Sequence, residues 1–336
     1  MKHVVVGKGP IGAHLAHQLA AVGHDVLVLS RSGGLPPTPP GTVGTTGGVP
    51  GSAEPVSPHP GAAPVRGAAI DAADADALTR AAQGADALYN CLNPAYHRWP
   101  TDWPPLATAL LTAAERTGAV YVMAGNLYGY GRGTHRMTED SPLATRETKG
   151  RVRAEMWDEA RRRHDDGRLR ATEVRGSDYL GPLALAHAHA GPRALEPLLA
   201  GRTVRPIGAA DVPRTWTYLP DFARALARAA TLEAAWGRPW HVPSPEPLSF
   251  RELMTRFAAA AGAPAPRIAP LPLGVVRALG LVQPMLREVH AMGYQFVEPF
   301  VMDSAASQRV LGLQPTPWPA VVEETLAAMR RSAASG

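Results

Sequence analysis

Three glycines at a fixed spacing carry the clearest chemistry in the chain. Gly7, Gly9 and Gly12 stand in the run VVVGKGPIG, between an apolar β-branched stretch and an Ala/Leu-rich helical pattern from Ala13 to Gly23. Such a turn suits a pyrophosphate: Gly7 permits the tight turn, Gly9 lets the backbone approach the phosphates without a Cβ in the way, and Gly12 lets the helix pack close to the sheet. The helix N-terminus then offers free N–H groups and the positive end of its dipole. Gly7, Lys8, Gly9, Pro10, Ile11 and Gly12 are therefore the candidate dinucleotide cradle. A bare strand–turn–helix is the plain alternative, and a second apolar run, Val26 to Leu29, arriving just after Gly23 favours the nucleotide.

A second contact is expected about 20 residues further on, where an acid would grip a ribose 2′-OH. The chain reads Leu29-Ser30-Arg31-Ser32-Gly33 there, without a carboxylate. Ser30, Arg31 and Ser32 suit a 2′-phosphate, which favours NADP(H), with NAD(H) as the alternative. Without a ligand, Arg31 is a surface arginine in a turn.

The elements that must position these groups alternate strictly. After the second strand, residues 33–67 are dense in Gly, Pro, Thr and Ser and read as a flexible insertion, either a lid near the adenosine end or an inert loop. Ala68 to Ile70 reads as a strand ending at Asp71, and Ala73 to Gln83 as a helix. Ala85 to Cys91 is the fourth strand, followed by Leu92-Asn93-Pro94, whose backbone would line the cofactor. Pro104 to Thr117 is a helix and Val120 to Met123 the fifth strand, which places Ala124 to Tyr130 at the reaction centre. Lys149 to His164 is a helix and Leu169 to Val174 the sixth strand. This alternation predicts an α/β fold, a Rossmann-type doubly wound parallel sheet with right-handed crossovers. Beyond it, short segments at Tyr179 to Pro182, Thr215 to Asp221, Trp240 to Pro243 and Phe296 to Asp303 alternate with helices at Phe222 to Thr231, Phe250 to Ala261 and Pro319 to Met329. These predict a smaller C-terminal substrate lobe interleaved with the sheet, so residues 1–176 form the NAD(P)-binding domain and 177–330 the lobe.

Composition narrows the partners. The net charge of +5 comes from scattered arginine, with no basic run of five or more, which argues against nucleic acid and suits steering of an anionic cofactor. Cys91 is the only cysteine, so an intrachain disulfide and a cysteine-cluster metal site are both excluded. No signal-peptide pattern or bilayer-length apolar run is visible, so a cytoplasmic protein without membrane association is expected. The only lysines are Lys2, Lys8 and Lys149 in a chain otherwise rich in arginine.

The order of these features resembles the short-chain dehydrogenase/reductase superfamily, in its extended or atypical branch of NAD-dependent epimerase/dehydratase-like proteins. The resemblance rests on the glycine turn, the Asp71 strand end, Leu127-Tyr128-Gly129, Glu139-Asp140-Ser141-Pro142 leading into Lys149, Arg175-Gly176-Ser177-Asp178 followed by Tyr179-Leu180-Gly181-Pro182, and Asp303 with Leu311-Gly312-Leu313-Gln314-Pro315-Thr316. It places Asp71 and Ser177 among the cofactor contacts. In that family a Tyr-x-x-x-Lys pair sits one helical turn apart; the lysine holds the nicotinamide ribose and lowers the tyrosine pKa. Lys149 fits the lysine. The tyrosine position is Thr145, whose hydroxyl is too weak an acid, and the serine position is Ala124. The relocated acid is then sought among Tyr128, Tyr130, Asn126 and Tyr179. The helices at Pro104 to Thr117 and Lys149 to His164 match the pair that forms a homodimer interface in similar proteins.

Other groups carry less. His187-x-His189 could be a metal pair but has no third ligand nearby, so no metal is expected. His135, Glu139 and Asp140 could supply an acid/base, or mark the loop before the Lys149 helix. Arg175, Tyr179, Arg214 and Trp216 resemble substrate-lobe contacts, with a surface salt bridge as the alternative for Arg214. The sequence thus predicts an NADP(H)-dependent oxidoreductase or epimerase/dehydratase-like enzyme acting on a small polar carbonyl or hydroxyl substrate. The alternative is a catalytically silent NADP(H)-binding redox-sensing or regulatory protein.

Overall fold

The computed structural model describes residues 1–40, 62–184 and 188–334. In chain order the elements are β1 (Lys2–Val6), α1 (Pro10–Ala21), β2 (Asp25–Ser30), β3 (Val65–Ala69), α2 (Ala75–Ala81), β4 (Ala87–Asn90), α3 (Trp99–Thr117), β5 (Val120–Asn126), β6 (Arg136–Met137), α4 (Thr148–Asp165), β7 (Ala171–Gly176) and β8 (Asp178–Leu180). There follow α5 (Pro192–Leu199), β9 (Trp216–Tyr218), α6 (Leu219–Thr231), β10 (Pro239–His241), α7 (Phe250–Ala261), α8 (Leu273–Leu279), α9 (Pro284–Ala291), β11 (Val301–Met302), α10 (Ala305–Leu311) and α11 (Trp318–Ala334).

Seven strands form one parallel sheet in the order β10-β7-β5-β4-β1-β2-β3. Parallel crossovers cover both faces, so β4 and β7 are buried along their whole length, the polar side chains Asn90, Thr172, Glu173 and Arg175 included. One face packs Val5, Val28, Val122 and Val174 against Leu15 and Leu19 of α1 and Phe222 and Leu226 of α6. The other packs Val4, Leu88, Tyr121 and Met123 against α2, α3 and α4 through Leu78, Trp103, Leu110 and Trp157. A third core, built on Leu195, Trp216, Phe250, Phe257, Trp318 and Val321, belongs to the C-terminal lobe.

The element bounds depart from expectation for identifiable reasons. The fifth strand runs to Asn126, because β7 pairs with it as far as Asn126↔Gly176; Ala124 is therefore inside the strand. The sixth strand is correspondingly shifted to Ala171–Gly176. α3 begins at Trp99 rather than Pro104 and keeps Pro104 and Pro105 inside it. Burial of Trp99 and Trp103 against the sheet outweighs the backbone bonds those prolines forgo. Pro239–His241, expected in the smaller lobe, is an edge strand of the main sheet. The helices α5, α8, α9 and α10 were not anticipated; with seven or eight residues each, they offer too few turns for apolar periodicity to stand out. Of the insertion at 33–67, residues 41–61 lie outside the described residues.

Two buried histidines tie the sheet to pH. His3 on β1 meets the Tyr89 hydroxyl at 3.0 Å, and His241 on β10 meets the Tyr130 hydroxyl at 2.6 Å. Burial is the main force lowering each pKa to about 4, so both are neutral in the folded protein. Unfolded, they titrate near about 6.5. The unfolded chain therefore takes up protons first as the pH falls. Each site contributes on the order of 3 kcal/mol, fully present above about pH 6.5 and lost on descent towards 4. Thermal melts should show the melting temperature falling across that window, and less steeply in His241→Asn. A profile flat from pH 7 to 4.5 would contradict the assignment.

Candidate functional site

The glycine turn lies at the carboxyl end of β1, where the sheet order reverses between β1 and β4. Gly7 has φ +113°, and a Cβ on it would stand 2.4 Å from the Cys91 carbonyl oxygen. A Cβ on Gly12 would stand 2.0 Å from the carbonyl oxygen of Gly7 itself. Around the corresponding point on Gly9 there is nothing within 4 Å. Two of the glycines are thus required by the fold, and the third faces open space. Gly9 is the N-cap of α1, has no side-chain cap, and is followed by Pro10 and Ile11, so the first N–H groups of the helix face the same space.

Beside it, Lys8 Nζ donates to the Gly33 carbonyl at 2.7 Å, and Ser30 Oγ donates to the same oxygen at 3.2 Å. Arg31 and Ser32 are exposed at the end of β2, and the positive charge of Arg31 reaches Asp102 near the start of α3. Asp71 accepts a bond from Ala73 N at 3.0 Å and is exposed. After β4, the Asn90 side chain accepts from Leu92 N at 3.2 Å, which fixes the backbone leading into Asn93. Ser177 has a buried Oγ with no partner among the described residues, while its N–H donates to Thr217 Oγ1 at 2.8 Å.

At the far end of the cleft Lys149 is 4% exposed in the first turn of α4. Its ammonium is paired with Glu288 of α9 and lies 4.3 Å from the centre of the Tyr96 ring. The Tyr128 hydroxyl is hydrogen-bonded with Tyr96 and with the Gln295 side chain; burial raises its pKa, which those bonds oppose. Asn126 accepts from Tyr128 N at 3.1 Å and so shapes the 3-10 turn Tyr128–Tyr130. Tyr179 is half-buried, with its ring against Phe222, and burial raises its pKa too.

Several expected residues are engaged elsewhere. Thr145 stands three residues before the start of α4, so it and Lys149 do not share a helical turn. Its hydroxyl donates to Glu147 at 3.0 Å and occupies the space that a Cβ on Gly150 would take. Tyr130 is fully buried: it accepts from Arg175 Nη1 at 2.8 Å and donates to His241 Nε2, whose Nδ1–H donates to the Asp303 carbonyl at 2.6 Å. Arg175 itself is paired with Glu173. Glu139 holds Ser307, Asp140 pairs with Arg238 at 2.7 Å, and His135 lies 3.6 Å from Glu298. Arg214 is buried, with Nη1 3.0 Å from Asp178 Oδ2 and Nη2 donating to the Gln295 carbonyl, which corrects the surface alternative. Trp216 is a core residue whose Nε1 donates to Leu248 O at 2.9 Å. His187 lies outside the described residues, and His189 is stacked between Trp216 and Phe296. Among the described residues no group of three or more His, Cys, Asp or Glu could hold a metal, and no helix is long and apolar enough to cross a membrane.

Glu288, Tyr96 and Gln295 are the cleft residues that sequence reasoning missed. Pro284 at the first position of α9 and Gly293 just beyond its end are helix-boundary signals that could have marked the segment.

The family model for the NAD dependent epimerase/dehydratase family matches residues 4–242. No curated protein matches the chain in sequence. Among solved structures, UDP-glucose 4-epimerase from Thermotoga maritima, with UDP-glucose, superposes with TM-score 0.74 at 16% identity, covering 99% of this chain and 100% of that one. A dTDP-glucose 4,6-dehydratase from Streptomyces venezuelae, with NAD and TYD bound, gives 0.69 at 22%, covering 98% of this chain and 97% of that one. UDP-glucuronic acid 4-epimerase from Bacillus cereus, in complex with NAD, gives 0.72 at 16%, with 98% and 99% covered. At these identities the likeness is one of fold.

The glycine geometry separates two kinds of substitution. Gly12→Ala should cost about 2–4 kcal/mol, since the methyl meets backbone rather than a side chain that can swing away. Gly9→Ala should leave the melting temperature within a degree or two while weakening dinucleotide binding. Melts and ligand titrations of the two variants check this; equal melting losses would refute it.

Proposed function

We propose, from the premise that the chain belongs to the NAD dependent epimerase/dehydratase family, that it is an NADP(H)-dependent epimerase/dehydratase-like oxidoreductase for a small polar carbonyl or hydroxyl substrate. The observation that carries the reading is the open face of Gly9, with Lys8 and Arg31 beside it and no carboxylate at the end of β2. The turn from Gly7 to Gly12 would take the pyrophosphate. Ser30, Arg31, Ser32 and Lys8 would take the 2′-phosphate, for which two cations and two hydroxyls are a better match than for a bare hydroxyl. Asp71 and the Leu92–Asn93 backbone would flank the adenosine half and the middle of the cofactor. Lys149 and Ser177 would face the nicotinamide half. When bound, the dinucleotide supplies a hydride acceptor or donor.

The substrate belongs between the carboxyl ends of β5 and β7 and the lobe, beside Tyr128 and Tyr179. Tyr128 is the proton-handling hydroxyl this site favours, because it touches Tyr96 and Gln295 in the cleft, whereas Tyr130 is enclosed. Arg214 acts through Asp178 and the Gln295 carbonyl, holding the wall of the cleft. A second reading, dinucleotide binding without turnover, is favoured by one observation: position 145 carries a threonine turned onto the base of α4, and position 124 carries an alanine.

Fluorescence titration should show NADPH binding at least about tenfold more tightly than NADH, with Arg31→Ala abolishing most of the difference. Equal affinities would overturn the 2′-phosphate assignment. Incubation with NADPH and a panel of carbonyl compounds then separates the two readings. Turnover that Tyr128→Phe suppresses supports the enzyme, whereas tight binding without any turnover supports the silent protein.

A further inference from the structure

Lys149 is enclosed by two partners that come from different parts of the chain. Beneath the ammonium lies the Tyr96 ring, at 4.3 Å, from the 3-10 turn after β4. Against it stands the carboxylate of Glu288, from α9, a helix of the C-terminal lobe that packs on that same turn. The side chains of the pair are 5% and 23% exposed, so this is not a solvated surface bridge. An ammonium at such a depth without a counter-ion carries a large desolvation penalty and no fixed direction. An ammonium also has three N–H donors. One is taken by Glu288 and the Tyr96 ring faces the ammonium, which leaves donor capacity for a ligand.

The segment that brings Glu288 in is anchored to the cleft at other points. The Gln295 side chain is bonded with Tyr128, and the Gln295 carbonyl accepts from Arg214. Tyr294 is buried beside Phe300, with its hydroxyl lacking a partner among the described residues. The stretch from α9 to Phe296 is therefore a wall of the reaction cleft.

We propose that Glu288 is the positioning residue for Lys149: it holds the ammonium in place, aimed at the nicotinamide-ribose end of the cleft, and in doing so fastens α9 over it. This rests on the dinucleotide reading above. Glu288 acts through Lys149, so its effect is confined to ligands long enough to reach that lysine.

The test is a set of titrations with NADPH and with 2′,5′-ADP, which has the 2′-phosphate but lacks the nicotinamide half, using wild type, Glu288→Gln, Glu288→Asp, Lys149→Met and the Glu288→Gln/Lys149→Met double variant. Glu288→Gln should weaken NADPH about tenfold and leave 2′,5′-ADP unchanged, with Glu288→Asp recovering part of the loss. In the Lys149→Met background the same change should have no further effect. Unchanged or tighter NADPH binding by Glu288→Gln, or equal weakening of both ligands, would overturn the proposal; tighter binding would make the carboxylate a competitor of the ribose. A wild type that binds neither NADPH nor NADH would instead remove the dinucleotide reading itself.

Discussion

The carbonyl oxygen of Gly7 occupies the space in which any other residue at position 12 would carry its Cβ. That approach fixes how closely α1 sits on β1, and the rest of the cleft follows from it. α1 packs against α6, whose Phe222 and Leu226 fill one face of the sheet behind β5 and β7. A Cβ on Gly7 would likewise run into the Cys91 carbonyl, so β1 and the end of β4 can lie this close, at the point where the strand order reverses, because position 7 is glycine. In open α/β sheets ligands bind at that crevice. Here it is defined by backbone against backbone, which no rotamer change can relax.

At the other end of the cleft the structure uses buried polarity for the same purpose. Glu173, Arg175, Tyr130 and His241 form a continuous chain of charge-assisted and neutral hydrogen bonds that joins β7, the turn after β5 and the edge strand β10. Every member has its partner, as low-dielectric surroundings require. His241 as the Nδ1–H tautomer completes the donor order from Arg175 to the Asp303 carbonyl. Tyr128 and Tyr130 are two residues apart on one 3-10 turn, yet they have opposite fates: one hydroxyl closes this network and the other reaches Tyr96 and Gln295 in the cleft. Locking Tyr130 holds the turn that presents Tyr128.

How much of this could be read from residues alone depends on whether the determinant is local. The glycine turn, the alternation of strands and helices, and Arg31 at the end of β2 are all set by neighbours within a few positions, and periodicity and turn chemistry make them legible. The limits of β5 were not legible, because its last three residues are strand only by virtue of pairing with β7, far away in sequence. Nor was α9, whose two turns carry too little periodicity and whose importance lies in one contact made 139 residues from Lys149. Arg214 and Trp216 show the converse. Their residue types suit ligand contacts, but Asp178 and the lobe's own core already claim them.

The identity of residue 145 therefore matters less than where the chain places it. Because α4 starts at Thr148, position 145 belongs to the connection leading into the helix, and its hydroxyl is committed to Glu147 beside the helix N-terminus. A side chain held there is bonded to the Glu147 carboxylate and belongs to the connection, not to the helix that carries Lys149. The groups that do surround the ammonium, Tyr96 and Glu288, arrive from the turn after β4 and from the C-terminal lobe. Two of the surfaces that enclose the lysine thus belong to separate elements, so its environment depends on how the lobe is seated against the sheet. The cradle at Gly7 to Gly12 has no such dependence, since it is built within β1, α1 and the end of β4. The shape of the glycine turn and the surroundings of Lys149 are physically separable in this protein, with the first set by local backbone geometry and the second by the packing of the lobe.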